Sequence, residues 1–374
     1  MKNDTTLKVA TVFSGIGAFE FALKRLNIPH EILFACDNGE IEIDYPNDLI
    51  DKVRNLSSID EKQKFALDFY QSKTRRTNFV KKTYLANYKC PENRFFEDIK
   101  LLDGRDFKGK VDILVGGSPC QSFSQVGHQG GLEDARGTLF YEFARLINEI
   151  EPKVFIYENV RNLLNHDDGN TWKTIKSIFE KLGYKFYFDV LNASDYGIPQ
   201  TRRRLFVVGF KDKVDFHFPK TRTLKYTLQD FLESYSKFGS FTYIKGGNLR
   251  IYNRPGKVNE KYILTPALYR YVMKGGTKTF YQKPVINLRI ARTLLKTMGN
   301  HHRAGVDNYV SEDFSNELGK VRILTEREAL RLMGFTDDFN LVVSKTQGYK
   351  QAGNSIVVDV LMSIIKEIMK VEKF

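Results

Sequence analysis

Cysteine is scarce in this chain of 374 residues: Cys36, Cys90 and Cys120 are widely spaced, odd in number and form no CxxC pair. That pattern gives no basis for a disulfide framework or a zinc site, and it points to a reducing compartment. Long apolar runs are also missing. The longest are strand-sized, far short of the roughly 18 residues a membrane span needs. The opening MKNDTTLKVATVF has no apolar signal-peptide core ahead of its first strand-like run, so a cytoplasmic protein is expected. No low-complexity segment or internal repeat is present. A chain of this length, 42% hydrophobic and 28% charged, can bury a large core, with two domains as the prior.

Charge is unevenly spread. Residues 211–320 hold 20 Lys and Arg against 9 Asp and Glu, which accounts for +11 of the net +13. The same segment is rich in Tyr, Phe and Gly (FTYIKGGNLRIYNRPGKVNEKYILTPALYRYVMKGG). A solvated basic domain would look like this, and so would a polyanion-binding surface, which gains affinity by releasing phosphate counterions.

Residues 1–210 alternate strand-like and helix-like stretches. Strands are expected at 7–13, 31–36, 111–115, 154–157, 186–191 and 205–210, with amphipathic helices such as GTLFYEFARLINEIEPK and NTWKTIKSIFEKLGY between them. Such alternation predicts an α/β fold, a Rossmann-like, mostly parallel sheet with helices on both faces. The basic segment has no clear period and is expected to be a smaller, irregular β/loop domain. Helical order returns in 321–374, where Val357, Val360, Leu361, Ile364, Ile365 and Ile368 share a face. Residues 40–80, charged and helical in pattern, stand where a short connection after the second strand would do.

Several chemical groups collect at strand ends. In ATVFSGIGAFEFALKRLN a strand ends at Phe13, and Gly15 and Gly17 precede a helix. Such a turn lets a ligand approach backbone N–H groups, although it also serves simply to join strand to helix. Asp37, about twenty residues on, stands where a carboxylate grips ribose hydroxyls. Asp98 of EDI, with Ile99 beside it, is a candidate for an adenine amino group. Position 20 is Glu20 where a dinucleotide fingerprint has its third glycine. Cys120 follows another strand in VGGSPCQSFSQVG, between Pro119 and a polar loop. Glu158 ends the apolar strand of VFIYENVRNLL, where a carboxylate is costly to bury without a partner or a task. In QTRRRLFVVGF, Arg202 and Arg204 alternate onto one face and suit a carboxylate and a phosphate.

FSGIGAF, SPCQSFS, ENV, QTRRR, TEREALRLMGF and QAGNS, in this order, resemble the cytosine-C5 DNA methyltransferases of bacterial and phage modification systems. The resemblance runs from about residue 7 to 365, apart from the 40–80 insertion and most of the basic segment. It implies a catalytic, S-adenosylmethionine-binding domain over 1–210, a target recognition domain over 211–320, and a return to the catalytic domain over 321–374. It further implies Cys120 as nucleophile, Glu158 as its acid partner, and Arg202 and Arg204 holding the target and the glutamate. Phe13, Gly15, Gly17, Asp37, Asp98, Ile99, Pro119, Leu139 and Asn354 would line the S-adenosylmethionine pocket. Gln121, Ser124, Arg136 and Thr293 would contact DNA. By the same resemblance the chain methylates C5 of a flipped-out cytosine in a specific double-stranded sequence. The enzyme is expected to be a monomer at the nucleoid, with a cognate restriction endonuclease as the implied partner.

One departure concerns Asn38, which stands where most members have an aromatic or isoleucine to stack on adenine. Two rival readings remain open, a tRNA methyltransferase of the same family and a catalytically silent DNA-binding protein on the same scaffold. The 298–310 stretch MGNHHRAGVDNYV is a candidate base-reading loop on its Asn, His and Arg content, and KTRRTN in the insertion is a candidate phosphate contact.

Overall fold

The computed structural model describes residues 6–46, 48–119, 139–233, 240–255, 258–274, 276–277, 280–281, 284–300 and 302–374. The apolar runs near the N-terminus become the centre of a seven-stranded sheet. Its strands are β1 (Leu7–Val12), β2 (His30–Cys36), β3 (Phe95–Phe96), β4 (Ile113–Gly116), β5 (Val154–Val160), β6 (Lys185–Asn192) and β7 (Arg203–Phe210), in the order β3-β2-β1-β4-β5-β7-β6. All pairings are parallel except those of β7, which runs antiparallel to both β5 and β6. The expected α/β fold with a mostly parallel sheet is therefore present.

Period-two alternation feeds two cores. Val9, Ile113, Val115, Val154 and Ile156 face one side, with α1 (Ala18–Leu26) and α10 (Val358–Val371). Ala10, Val12, Leu114, Phe155 and Tyr157 face the other, with α5 (Leu139–Ile150) and α6 (Asn170–Lys181). Covering both faces is what makes these strands apolar on every residue rather than on alternate ones.

The last helix comes back across the whole chain. Arg25 near the end of α1 donates to both carboxylate oxygens of Asp359 on α10, at 2.7 and 3.2 Å, and to the carbonyls of Gly334 and Gly247, each at 2.8 Å. One buried guanidinium thus ties the first helix, the C-terminal helix and the basic segment together.

The 40–80 insertion forms α2 (Asp48–Arg54) and α3 (Ile59–Lys73), followed by α4 (Phe79–Leu85). A capping box between Ser58 and Glu61 starts α3. Lys62 then anchors it by ion pairs of 2.9 Å to both Asp103 and Asp106. The basic segment is more regular than expected. It contains a hairpin of β8 (Ser240–Lys245) and β9 (Arg250–Pro255) and a helix, α7 (Pro266–Met273), begun by a Thr265 cap and a first-turn proline. Among the described residues no helix is long and apolar enough to cross a membrane.

Glu20 on α1 is only 1% exposed, with Oε1 at 2.8 Å from Thr11 Oγ1 and 2.7 Å from the Tyr84 hydroxyl, while Oε2 has no partner. Burial pushes its pKa up against these hydrogen bonds. A carboxyl raised in the folded state contributes stability below the ordinary glutamate value, and this is lost as pH rises through the raised value. Glu20→Gln is therefore expected to flatten thermal stability between mildly acidic and alkaline pH, by about 1.4 kcal/mol for each unit of the native shift. Parallel melting curves for wild type and variant across that range would contradict this.

Candidate active site

The sheet order places a topological switch point between β1 and β4, the position where open α/β sheets hold ligands at their carboxyl ends. β1 delivers Phe13 there with a left-handed φ of 52°, an unusual conformation for a bulky side chain and a feature of ligand sites. Gly15 follows at φ 53°, and a Cβ on it would meet nothing within 4 Å, so open space lies above this turn. Gly17 begins α1. At the end of β2, Asp37 accepts from Gly15 N at 2.9 Å through Oδ2 and from Gly39 N at 2.8 Å through Oδ1. Burial raises its pKa despite these bonds.

Beyond β3, Asp98 accepts from Lys100 N at 2.9 Å, and burial raises its carboxyl too. Ile99, the next residue, is buried in the core cluster on that side of the sheet. Phe13 and Leu139, the first residue of α5, pack partly buried against the same core cluster. Asn354, the last residue of α9 (Lys345–Asn354), reaches Glu40 Oε1 at 3.2 Å, just past the Asp37 turn. Partial burial would raise the Glu40 carboxyl, but hydrogen bonds from Lys296 and Asn354 and the charges of Lys296 and Lys350 bring it below the usual range. The QAGNS motif therefore meets the end of β2 in space.

β4 ends with Gly116 opposite Tyr157, while β5 runs on to Val160. Glu158 follows Tyr157. Its side chain is 14% exposed, and Arg204 Nε lies 3.2 Å from its Oε1. Burial raises its pKa, with the Arg204 and Arg202 charges opposing. A Cβ on Gly117 would come within 3.0 Å of the Glu158 carbonyl and 3.2 Å of Oε2, so a glycine there lets the chain leading to Pro119 pass directly over the carboxylate. Pro119 is exposed. Cys120, Gln121, Ser124 and Arg136 lie outside the described residues.

Because β7 is antiparallel, its amino end lies at this same edge, with Arg204 opposite Val160. Both arginine charges act on Glu158, but the two side chains make different contacts. Arg204 faces Glu158, whereas Arg202, 4% exposed, donates to the carbonyls of Leu294 at 3.0 Å, Gly353 at 3.0 Å and Ser355 at 2.9 Å. Burial, and then Arg204, lower its pKa to about 9, with Glu158 opposing. The strand begins at Arg203, so the alternation that would put both guanidiniums on one face does not extend back to Arg202. Thr293 donates to the Thr201 carbonyl at 2.6 Å, which brings the basic segment's IARTLL element against QTRRR.

Two residues that sequence reasoning passed over do structural work here. Asn159 donates to the Ser118 carbonyl at 2.9 Å and the Tyr157 hydroxyl at 2.8 Å, bracing the backbone ahead of Cys120. Gln200, fully buried, donates to the Leu332 carbonyl at 2.6 Å and accepts from Leu294 N at 3.0 Å. Both sit inside quoted motifs, ENV and QTRRR, and that membership was the available signal. In the 298–310 stretch, Arg303 bonds Thr297 and Asp307, and Asn308 bonds the Arg292 backbone, so these two side chains are spent on holding the loop.

The chain matches the family model of the C-5 cytosine-specific DNA methylases over residues 7–370. Among curated proteins it is 37% identical to the Type II methyltransferase M.SsoII of Shigella sonnei, over 78% of this chain and 71% of that one. It is 38% identical to the Type II methyltransferase M.HhaI of Haemophilus parahaemolyticus, over 68% of this chain and 74% of that one. Among solved structures, the Dnmt2 methyltransferase of S. pombe shares the fold, with a TM-score of 0.66 and 16% identity over 98% of this chain and 99% of that one. This protein belongs to the C-5 cytosine-specific DNA methylase family and is a DNA (cytosine-5-)-methyltransferase.

Proposed function

We propose that the protein transfers a methyl group from S-adenosylmethionine to C5 of a flipped-out cytosine in a specific double-stranded DNA sequence, through transient addition of Cys120 to C6. The observation that carries this reading is the buried Glu158, its carboxyl raised, paired with Arg204 and lying directly under the Gly117 backbone that leads to Cys120.

The residues at the switch point suit the cofactor. The open space above Gly15, the carboxylate of Asp37 and the carboxyl of Asp98 match an amino-acid end, ribose hydroxyls and an adenine amino group, with Phe13, Ile99, Pro119, Leu139 and Asn354 around them. When bound, S-adenosylmethionine supplies an electrophilic methyl group.

C5 of cytosine is a poor nucleophile. Addition of the Cys120 thiolate at C6 forms the S–C6 bond and moves electron density onto N3 and C5, which makes C5 nucleophilic. Glu158 places a proton at N3 as charge builds there, a task that a raised pKa favours. Arg204 fixes the carboxyl's orientation. After methylation, loss of the C5 proton drives elimination of the Cys120 thiolate and restores the aromatic ring. Duplex DNA buries C5 and C6 in the base stack, so the target must leave it. The basic 211–320 segment is suited to hold the duplex, with Thr293 near the site and Gln121, Ser124 and Arg136 on the chain after Cys120. Restriction-modification is the proposed setting, with a nuclease of the same specificity as partner.

A direct test combines labelled-methyl transfer onto DNA and onto tRNA with trapping on a 5-fluorocytosine oligonucleotide. DNA-dependent transfer and a stable adduct, lost in Cys120→Ser, are expected. Methyl found on an exocyclic amine, or undiminished turnover in Cys120→Ser, would overturn the mechanism.

A further inference from the structure

The reaction described above makes no use of the 40–80 insertion, yet the insertion packs against both segments assigned to the adenosine. Tyr70 of α3 donates to the carbonyls of Asn38 at 3.3 Å and Ile41 at 3.4 Å, just past Asp37. Asn78 donates to the Asp37 carbonyl at 2.8 Å. Gln63 donates to the Phe95 carbonyl at 2.7 Å, on the strand that leads to Asp98.

Tyr45 is the most informative member. Its ring packs edge-on against Phe69 of α3, with centroids 6.1 Å apart and planes at 82°, beside the Leu49, Val53 and Leu101 cluster. Its hydroxyl is buried against the Asp98 carboxyl, and burial together with that carboxyl raises its pKa. Even so, the hydroxyl lacks a hydrogen-bond partner of ordinary geometry. The hydroxyl is thus near the Asp98 carboxyl without an ideally formed bond, and a small movement of either side chain completes it. Asp98 uses Oδ1 on Lys100 N and has its second oxygen to orient. Asn38, meanwhile, offers no ring to an adenine.

We propose that the 40–80 insertion is part of the cofactor site, with Tyr45 a positioning residue whose hydroxyl closes onto Asp98 and holds its carboxyl toward the 6-amino group of the bound adenosine. This rests on the cofactor reading given above and deepens it: with Asn38 offering no ring, recognition of adenine is carried here by hydrogen bonding. A carboxylate held as an acceptor favours a 6-amino purine and repels a 6-oxo purine, whose oxygen would face it.

The test compares binding of S-adenosylhomocysteine and S-inosylhomocysteine, the 6-oxo analogue, to the full chain by calorimetry. Wild type is expected to prefer the adenosyl compound. Tyr45→Phe keeps the ring against Phe69 and removes only the hydroxyl. It is expected to weaken the adenosyl compound by about tenfold, the worth of one well-made hydrogen bond to a charged group, with the inosyl compound little changed, so that the preference shrinks. Equal weakening of both compounds, as a merely structural role would produce, or no change in either, overturns the inference while leaving the cofactor reading intact. Failure of wild type to bind S-adenosylhomocysteine at all overturns both. Should Tyr45→Phe not fold, hydrogen exchange on wild type decides: S-adenosylhomocysteine must protect the amides of α3, and unchanged exchange there overturns the inference.

Discussion

Glu158→Gln lowers the single-turnover rate of methyl transfer by about 10²–10⁴-fold, the usual worth of a positioned general acid, with cofactor affinity little changed. Glutamine keeps the shape and can still meet Arg204, but it has no proton to place at N3. The pH dependence follows from the same group. Burial raises Glu158 while Arg204 and Arg202 oppose, so the protonated form persists to a higher pH than in an exposed glutamate. A rate that needs this form declines as pH rises through the raised value. Arg204→Gln removes the nearest opposing charge, so the surviving activity should decline at a higher pH than wild type. An unshifted profile in Arg204→Gln, or a Glu158→Gln rate within a few-fold of wild type, would remove Glu158 from the chemistry.

Asp359→Ala destabilises the protein by about 3–5 kcal/mol, the cost of leaving a buried charge without its partner. The side chains of Arg25 and Asp359 are 3% and 10% exposed, and the alanine variant would keep the guanidinium in the interior with only the Gly334 and Gly247 carbonyls as acceptors. Urea denaturation measures the effect. Replacing both residues together, Arg25→Met with Asp359→Leu, should recover much of the loss, because removing both charges also removes the desolvation penalty. If Asp359→Ala alone costs under 1 kcal/mol, a magnitude typical of exposed pairs, the pair is not what closes the ring between α1 and α10. The consequence reaches the Gly15 turn, since α1 begins just after Gly17 and its other end is held by this pair.

Much of the site could be read in the linear order of residues. Apolar runs of strand length followed by Gly15, Asp37 or Pro119 already indicate loops at strand ends, whereas Glu158, expected to follow a strand ending at Tyr157, lies within β5, which pairs with β7 as far as Val160. The arginines were only half legible. Alternation assigned Arg202 and Arg204 to one face, but β7 starts at Arg203, and Arg202 is drawn to three carbonyls from Leu294, Gly353 and Ser355. Those acceptors lie roughly 90 to 150 positions further along the chain, and no local pattern announces them. The helix α7 was missed for another reason. Its eight residues are too few for a helical period to stand out, and its tertiary packing is what sustains it.

The residue order by itself determined the alternating architecture, the concentration of positive charge in 211–320 and the family, because periodicity, net charge and short motifs are local properties of a chain. Only the tertiary structure decided that β7 runs backward and so presents Arg204 to Glu158, that Arg202 bonds the Leu294, Gly353 and Ser355 carbonyls, and that the insertion places Tyr45 against Asp98. Strand direction and the partners of buried polar groups depend on which distant segments arrive together, and that is settled by the packing of the whole core.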